Sequence, residues 1–121
     1  RAQDFKGSGY DLVTVFDALH DMGDPVGAIA HIRSSIKTDG TLMLVEPMAG
    51  ERVEDNLNPV GRVYSGASVL ICTPNALSGG GSALGTLASE ESLASVFRSV
   101  GFTRFRRAAE TPFNRVFEIR K

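Results

Sequence analysis

The sequence predicts an α/β fold built on a short open sheet, and three observations carry that prediction. Tyr10 to Phe16 and Thr41 to Val45 are compact apolar runs rich in β-branched and aromatic residues, the composition of strands. The stretch between them has helical spacing, so the three form one right-handed crossover unit of a parallel sheet. Near the end, Phe102 to Ala109 and Phe113 to Ile119 are joined only by Glu110-Thr111-Pro112, short enough for an antiparallel pair.

Taken in order, residues 1 to 9 are polar and contain Gly and Ser. Tyr10 to Phe16 is almost continuously apolar, which predicts a strand buried on both faces. Asp24 then Pro25 is a helix start, because Asp accepts from free amides and Pro tolerates the first helical position. The helix should run from Pro25 to about Ile36, with Val26, Ile29, Ala30, Ile32 and Ile36 as its apolar stripe. Lys37-Thr38-Asp39-Gly40 should end it, with Lys complementing the dipole and Gly supplying a left-handed turn.

Beyond Val45 the pattern weakens. An insertion at about 47–88 is expected to cover the strand ends, with a polar stretch from Glu51 to Asn58 and a helix over Pro59 to Leu70. That helix has Val60, Val63, Tyr64, Ala67 and Leu70 on one face. The Gly79-Gly80-Gly81 tract does not run from a strand into a helix, so it reads as a hinge or lid loop rather than a phosphate cradle. Ser89-Glu90-Glu91 opens a further helix with Leu93, Val96, Phe97 and Val100 on its buried side, and Gly101 closes it.

With 121 residues the chain is one domain, and 42% hydrophobic with 22% charged residues is an ordinary water-soluble composition. The net charge of −1 argues against nucleic acid, and Arg104, Arg106 and Arg107 read as a solvated strand face. No apolar run approaches the roughly 20 residues of a membrane span, and a cytoplasmic protein with no membrane partner is expected. The start at Arg1, with a strand within ten residues, suggests a fragment. Cys72 is the only cysteine and sits in apolar Val69-Leu70-Ile71-Cys72, so it reads as a buried thiol rather than a nucleophile. His31 lies inside the first helix and reads as a surface or boundary residue.

The chemistry concentrates just past Phe16 and Val45, because ligands of open α/β sheets sit beyond the carboxyl ends of the strands. Ala18-Leu19-His20-Asp21-Met22-Gly23-Asp24 follows the first strand and Glu46 ends the second. Histidine titrates near pH 6.5, which suits it to general-base work, and a nearby carboxylate would fix its tautomer. Glu46 is the first candidate for that carboxylate, with Asp17 and Asp21 as alternatives. On a purely structural reading, His20 caps a strand end and Glu46 tethers the next loop. His20, Asp21 and Glu46 could also ligate a metal, but no second histidine stands at ligand spacing, so none is expected.

The order of elements, with these residues, resembles the carboxyl-terminal half of a class I S-adenosylmethionine-dependent methyltransferase over nearly the whole chain. Tyr10-Asp11-Leu12-Val13 resembles the entry to that family's fourth strand, and Lys37-Thr38-Asp39-Gly40 its Lys-Pro-Gly-Gly turn before the fifth. Val100-Gly101-Phe102-Thr103 resembles its Ala-Gly-Phe-Thr entry to the sixth, and the closing antiparallel pair resembles its last two strands. Leu19-His20-Asp21-Met22-Gly23-Asp24 is similar to the Leu-His-Asp-Trp-Ser-Asp segment of small-molecule O-methyltransferases, with Met22 in place of Trp and Gly23 in place of Ser.

The resemblance implies a partial Rossmann-like methyltransferase fold, strands 4 to 7. It also implies S-adenosylmethionine as cofactor, a small-molecule acceptor, His20 as general base and Glu46 orienting it, with Asp21 beside them. Cofactor contacts fall to Ala2 and Gln3 on the adenine side and to Phe16 and Asp17 at the strand end. The family's Gly-rich turn and acidic residue have no counterpart before Asp4, so the isolated chain is expected to be inactive. An alternative is a non-catalytic module that forms a homodimer through an open sheet edge. A Rossmann-type dehydrogenase is a third option, disfavoured by the closing antiparallel pair.

Overall fold

β1 (Tyr10–Phe16) and β2 (Ile36–Pro47) lie side by side and parallel in a computed structural model that describes residues 1–121, with α1 (Pro25–Ser35) crossing between them. A long irregular and helical segment follows, then α4 (Glu90–Ser99), β3 (Arg104–Glu110) and β4 (Asn114–Arg120). The sheet order is β1-β2-β4-β3, with β4 antiparallel to both neighbours. This is the predicted α/β fold, with the last strand slotted between its predecessors.

Strand alternation sorts the side chains into rows across one face. Leu42 stands opposite Ile119, Leu44 opposite Phe117 and Glu46 opposite Arg115. The first two rows join Ile29, Ile32, Leu93, Phe97 and Phe102 in a single core under α1 and α4. The third row, at the carboxyl end of β2, is polar and equally buried. That row carries the site.

The structure moves several predicted features. β1 is not covered on both faces: Val13 and Val15 pack on the core under α1 and α4, but Leu12 and Phe16, which alternate to the opposite face, are 55% and 58% exposed. On α1 the buried stripe is Pro25, Ala28, Ile29, Ile32 and Ser35, while Val26 and Ala30 face out. Steps of three and four residues from Pro25 reach those positions, and Val26 and Ala30 each lie one residue, about 100°, off the stripe.

Lys37 to Gly40 form no terminating turn. Ile36 caps α1 with extended backbone, its N–H donating to Ile32 O, and β2 begins there at once. Gly40 does not take a left-handed conformation. It serves close approach instead, since a Cβ there would lie 2.9 Å from Tyr10 O where β1 and β2 meet at an irregular register.

The predicted helix over Pro59 to Leu70 is α2 (Pro59–Ala67), which continues through a wide π-helical turn (Ser68–Cys72) into α3 (Thr73–Ser78). The wide turn bonds Thr73 N–H to Ser68 O just before Pro74, the residue that cannot donate. Val63 and Leu70 of the predicted face are 68% and 78% exposed. The glycine tract is anchored rather than free: Ser82 N–H donates to Gly23 O, and any side chain at Gly81 would strike that same carbonyl. Arg106 and Arg107 are exposed as predicted, but ion pairs to Glu118, Glu90 and Glu110 neutralise them. His31 is a boundary residue, half-buried and bonded to Phe5 O. No helix is long and apolar enough to cross a membrane.

Candidate functional site

A short 3-10 turn, Leu19–Asp21, follows β1 and is pinned from below by the end of β2. Glu46 is 1% exposed, and its two carboxylate oxygens are both engaged. Oε1 accepts from Leu19 N–H at 3.1 Å, and Oε2 lies 2.6 Å from His20 Nδ1. A carboxylate only accepts, so Nδ1 carries the hydrogen and the lone pair of the neutral ring sits on Nε2. One buried side chain thus fixes both the backbone of the turn and the tautomer of its histidine.

His20 is itself 4% exposed. Burial works against a charge on the ring, but the hydrogen bond and charge of Glu46, with the charges of Asp21 and Asp17, outweigh it and raise the His20 pKa above the ordinary 6.5. Nε2 faces Asp21 Oδ1 at 3.5 Å, and the Cys72 thiol stands close to both. α3 leans on the turn through Asn75 Nδ2, which donates to Asp21 O. Burial pushes the Cys72 thiol pKa up, as its apolar setting predicts.

Asp17, directly after β1, has φ of 43°, a left-handed conformation that costs strain outside glycine. Its N–H donates to Val45 O, and its carboxylate accepts from Asn114 Nδ2 at 2.8 Å. Tyr64 donates to Phe113 O on the same side of the crevice. Its phenol is pushed up in pKa by burial and by the Asp17 charge.

Opposite Glu46 in the polar row, Arg115 is fully buried. Its Nε donates to Pro47 O and its Nη2 to Ala88 O, each at 2.9 Å, so it bridges the two ends of the segment between β2 and α4. Burial and the nearby Arg107 charge lower its pKa, partly offset by Glu46, Glu90 and Glu51.

Against β1, Ala2, Phe5, Leu12, Phe16 and Met22 line an apolar cavity of about 460 Å³. Gln3 is not part of it. Its amide donates to Asp24 O, and it borders a second, polar cleft of about 530 Å³ with Gly23, Asp24 and the glycine tract.

No protein-family model matches the chain. No curated protein matches it in sequence. Solved structures do match. Human N-acetylserotonin methyltransferase in complex with SAM superposes with a TM-score of 0.72 at 18% identity, over 100% of this chain and 32% of that one. The fold is that of part of a methyltransferase. PigF with SAH gives 0.68 at 20% identity over 99% and 33% of the two chains. NcsB1 is an O-methyltransferase from neocarzinostatin biosynthesis, solved with S-adenosyl-L-homocysteine and 1,4-dihydroxy-2-naphthoic acid. It gives 0.69 at 16% identity over 99% and 32%. The chain spans about a third of the length of these structures.

Within this methyltransferase fold, the structure brings His20, Asp21 and Glu46 together and puts Ala2 and Phe16 on one cavity wall. Gln3 and Asp17 stand apart from that wall, each engaged by another residue. Sequence reasoning missed Arg115, although the alternation Arg115, Phe117, Ile119 was enough to place it on the inner face. It also missed that Cys72 joins His20 and Asp21, a contact between distant parts of the chain that no local pattern encodes.

Proposed function

We propose that this chain is the carboxyl-terminal part of a methyltransferase catalytic domain, with residues 47–88 as an insertion, and that it serves methyl transfer to the hydroxyl of a small-molecule acceptor. The observation that carries the reading is the buried Glu46–His20 pair at the carboxyl ends of two parallel strands. Glu46 holds Nδ1–H, leaving Nε2 to take the acceptor's proton, and the nearby carboxylates stabilise the imidazolium that results. Asp21 adds charge on the Nε2 side. His20 is 4% exposed, so an acceptor reaches it only when the covering segment around Cys72 gives way.

S-adenosylmethionine is the cofactor this reading requires, and it supplies an electrophilic methyl group. The wall around Ala2 and Phe16 fits the apolar face of its adenine. Gln3 and Asp17 would have to leave their present partners to reach it. The solved structures with SAM or SAH support this assignment at the level of fold.

The test is S-adenosylhomocysteine release by the full-length methyltransferase of which this chain is the carboxyl-terminal part, against a panel of hydroxylated aromatics, the isolated chain being expected to be inactive. His20→Ala should lower turnover by about 100-fold or more while leaving cofactor affinity within about two-fold. Unchanged turnover would remove His20 from the reaction.

A second reading is supported by the open edge of β1, where Tyr10, Leu12 and Phe16 are exposed. There the isolated chain pairs with a second copy of itself and is inactive. Sedimentation of the chain distinguishes the two readings, since a monomer excludes the second.

A further inference from the structure

We propose that His20 Nε2, Asp21 Oδ1 and the Cys72 thiolate form a binding site for a thiophilic divalent cation of the zinc class. The three ligand atoms lie within 4.8 Å of one another. Tetrahedral zinc at its usual bond lengths of about 2.0–2.3 Å sets ligand atoms about 3.3–3.8 Å apart. The Nε2 to Oδ1 distance of 3.5 Å already falls in that range, and small side-chain rotations bring in the sulfur.

Two further observations favour a cation at these atoms. With Nδ1–H committed to Glu46, Nε2 of the neutral ring and Asp21 Oδ1 are both acceptors 3.5 Å apart, a pair that a cation can bridge in place of the proton of the charged ring. Asp21 Oδ1 is a buried atom whose neighbours are the Cys72 thiol, with which the carboxylate interacts, and His20 Nε2, the other two donors of the set. Thr86, 3% exposed, stands beside Cys72 with its hydroxyl placed to donate to the sulfur, which favours the thiolate.

The surroundings of the donor set match a metal site. A ligating histidine ordinarily donates its other ring N–H to a carboxylate, which is what His20 does with Glu46. Sulfur, nitrogen and a single carboxylate select zinc-like ions over magnesium or calcium, which demand oxygen. The thiol proton leaves to solvent on binding, and thiolate plus Asp21 carboxylate neutralise the two charges of the ion. The inference of a site stands apart from the methyl-transfer reading. Only one consequence rests on that reading: a cation on Nε2 takes the lone pair the base needs, so metal and turnover exclude each other.

The experiment is a Co²⁺ titration of the untagged, chelator-treated protein followed by absorption. Cys72 is the sole cysteine, so a near-ultraviolet thiolate-to-cobalt band reports on it alone. The expected result is saturation at one equivalent, intense visible bands of tetrahedral cobalt, displacement by Zn²⁺, and loss of the ultraviolet band in Cys72→Ser. Asp21→Asn should weaken binding by about 10-fold or more. A second measurement needs no variant: Zn²⁺ should slow alkylation of Cys72 in the native protein by about 10-fold or more. Absence of the band in the native protein, a band that persists in Cys72→Ser, or alkylation indifferent to Zn²⁺ overturns the proposal. Zn²⁺ binding without loss of turnover would leave the site standing and overturn the base role of His20.

Discussion

Replacing Glu46 by Gln isolates what its carboxylate does, because size and burial are kept and only the pattern of acceptors changes. The native side chain satisfies two buried donors, Leu19 N–H at 3.1 Å and His20 Nδ1–H at 2.6 Å. Glutamine has one carbonyl oxygen, which can keep Leu19 N–H, while its amide can only donate toward the ring and so favours the other tautomer, with the hydrogen on Nε2. A charge-assisted bond worth about 1.5–3 kcal/mol is exchanged for a neutral one of about 0.5–1.5 kcal/mol, so the loss is about 1–2 kcal/mol. The assay is urea unfolding at pH 7 with chelator present. With a slope of about 2 kcal/mol/M, the midpoint should fall by about 0.5–1 M. NMR titration of the variant should also show the His20 pKa dropping, since burial continues to oppose the charge and its strongest support is gone. A stability loss under about 0.5 kcal/mol, or an unmoved histidine, would mean the pair does not hold the turn.

Two further outcomes follow from the same row of residues. The fold raises the His20 pKa above its unfolded value of about 6.5, so its stabilising contribution is complete below that pH and is lost as pH rises through the folded value. With chelator present, the urea midpoint should therefore be higher at pH 6 than at pH 8.5, and His20→Gln should flatten the difference. Arg115→Lys replaces a fork that reaches two carbonyls with an ammonium that reaches one, at a cost of about 1.5–3 kcal/mol. Hydrogen exchange should quicken across residues 47–88 in that variant; unchanged exchange would mean the bridge does not hold the segment.

Much of the architecture could be read from local pattern, because its boundaries are chemical. Asp24 and Ser89 both cap helices through their side chains, as their sequence context predicts. His20, Asp21 and Glu46 could be grouped because two parallel strands of known direction must end together. What escaped depends on neighbours distant in sequence. The apolarity of β1 does not announce that one side is bare, and the stretch after Ala67 does not show that helix continues through a wide turn past Pro74. Cys72 looked like an isolated buried thiol because its partners come from a turn roughly fifty residues upstream.

Arg115 closes the stretch between Pro47 and Ala88 at its base, and this has a consequence for how such a chain can change over time. Once the two ends of a loop are clamped, the entropy of what lies between rises only logarithmically with length, and doubling it costs about 0.6 kcal/mol. The stretch that places Cys72 and Asn75 over the histidine turn can therefore grow, shrink or be exchanged wholesale for little free energy. A single buried guanidinium lets the roof over the site be rewritten while the sheet below keeps its register.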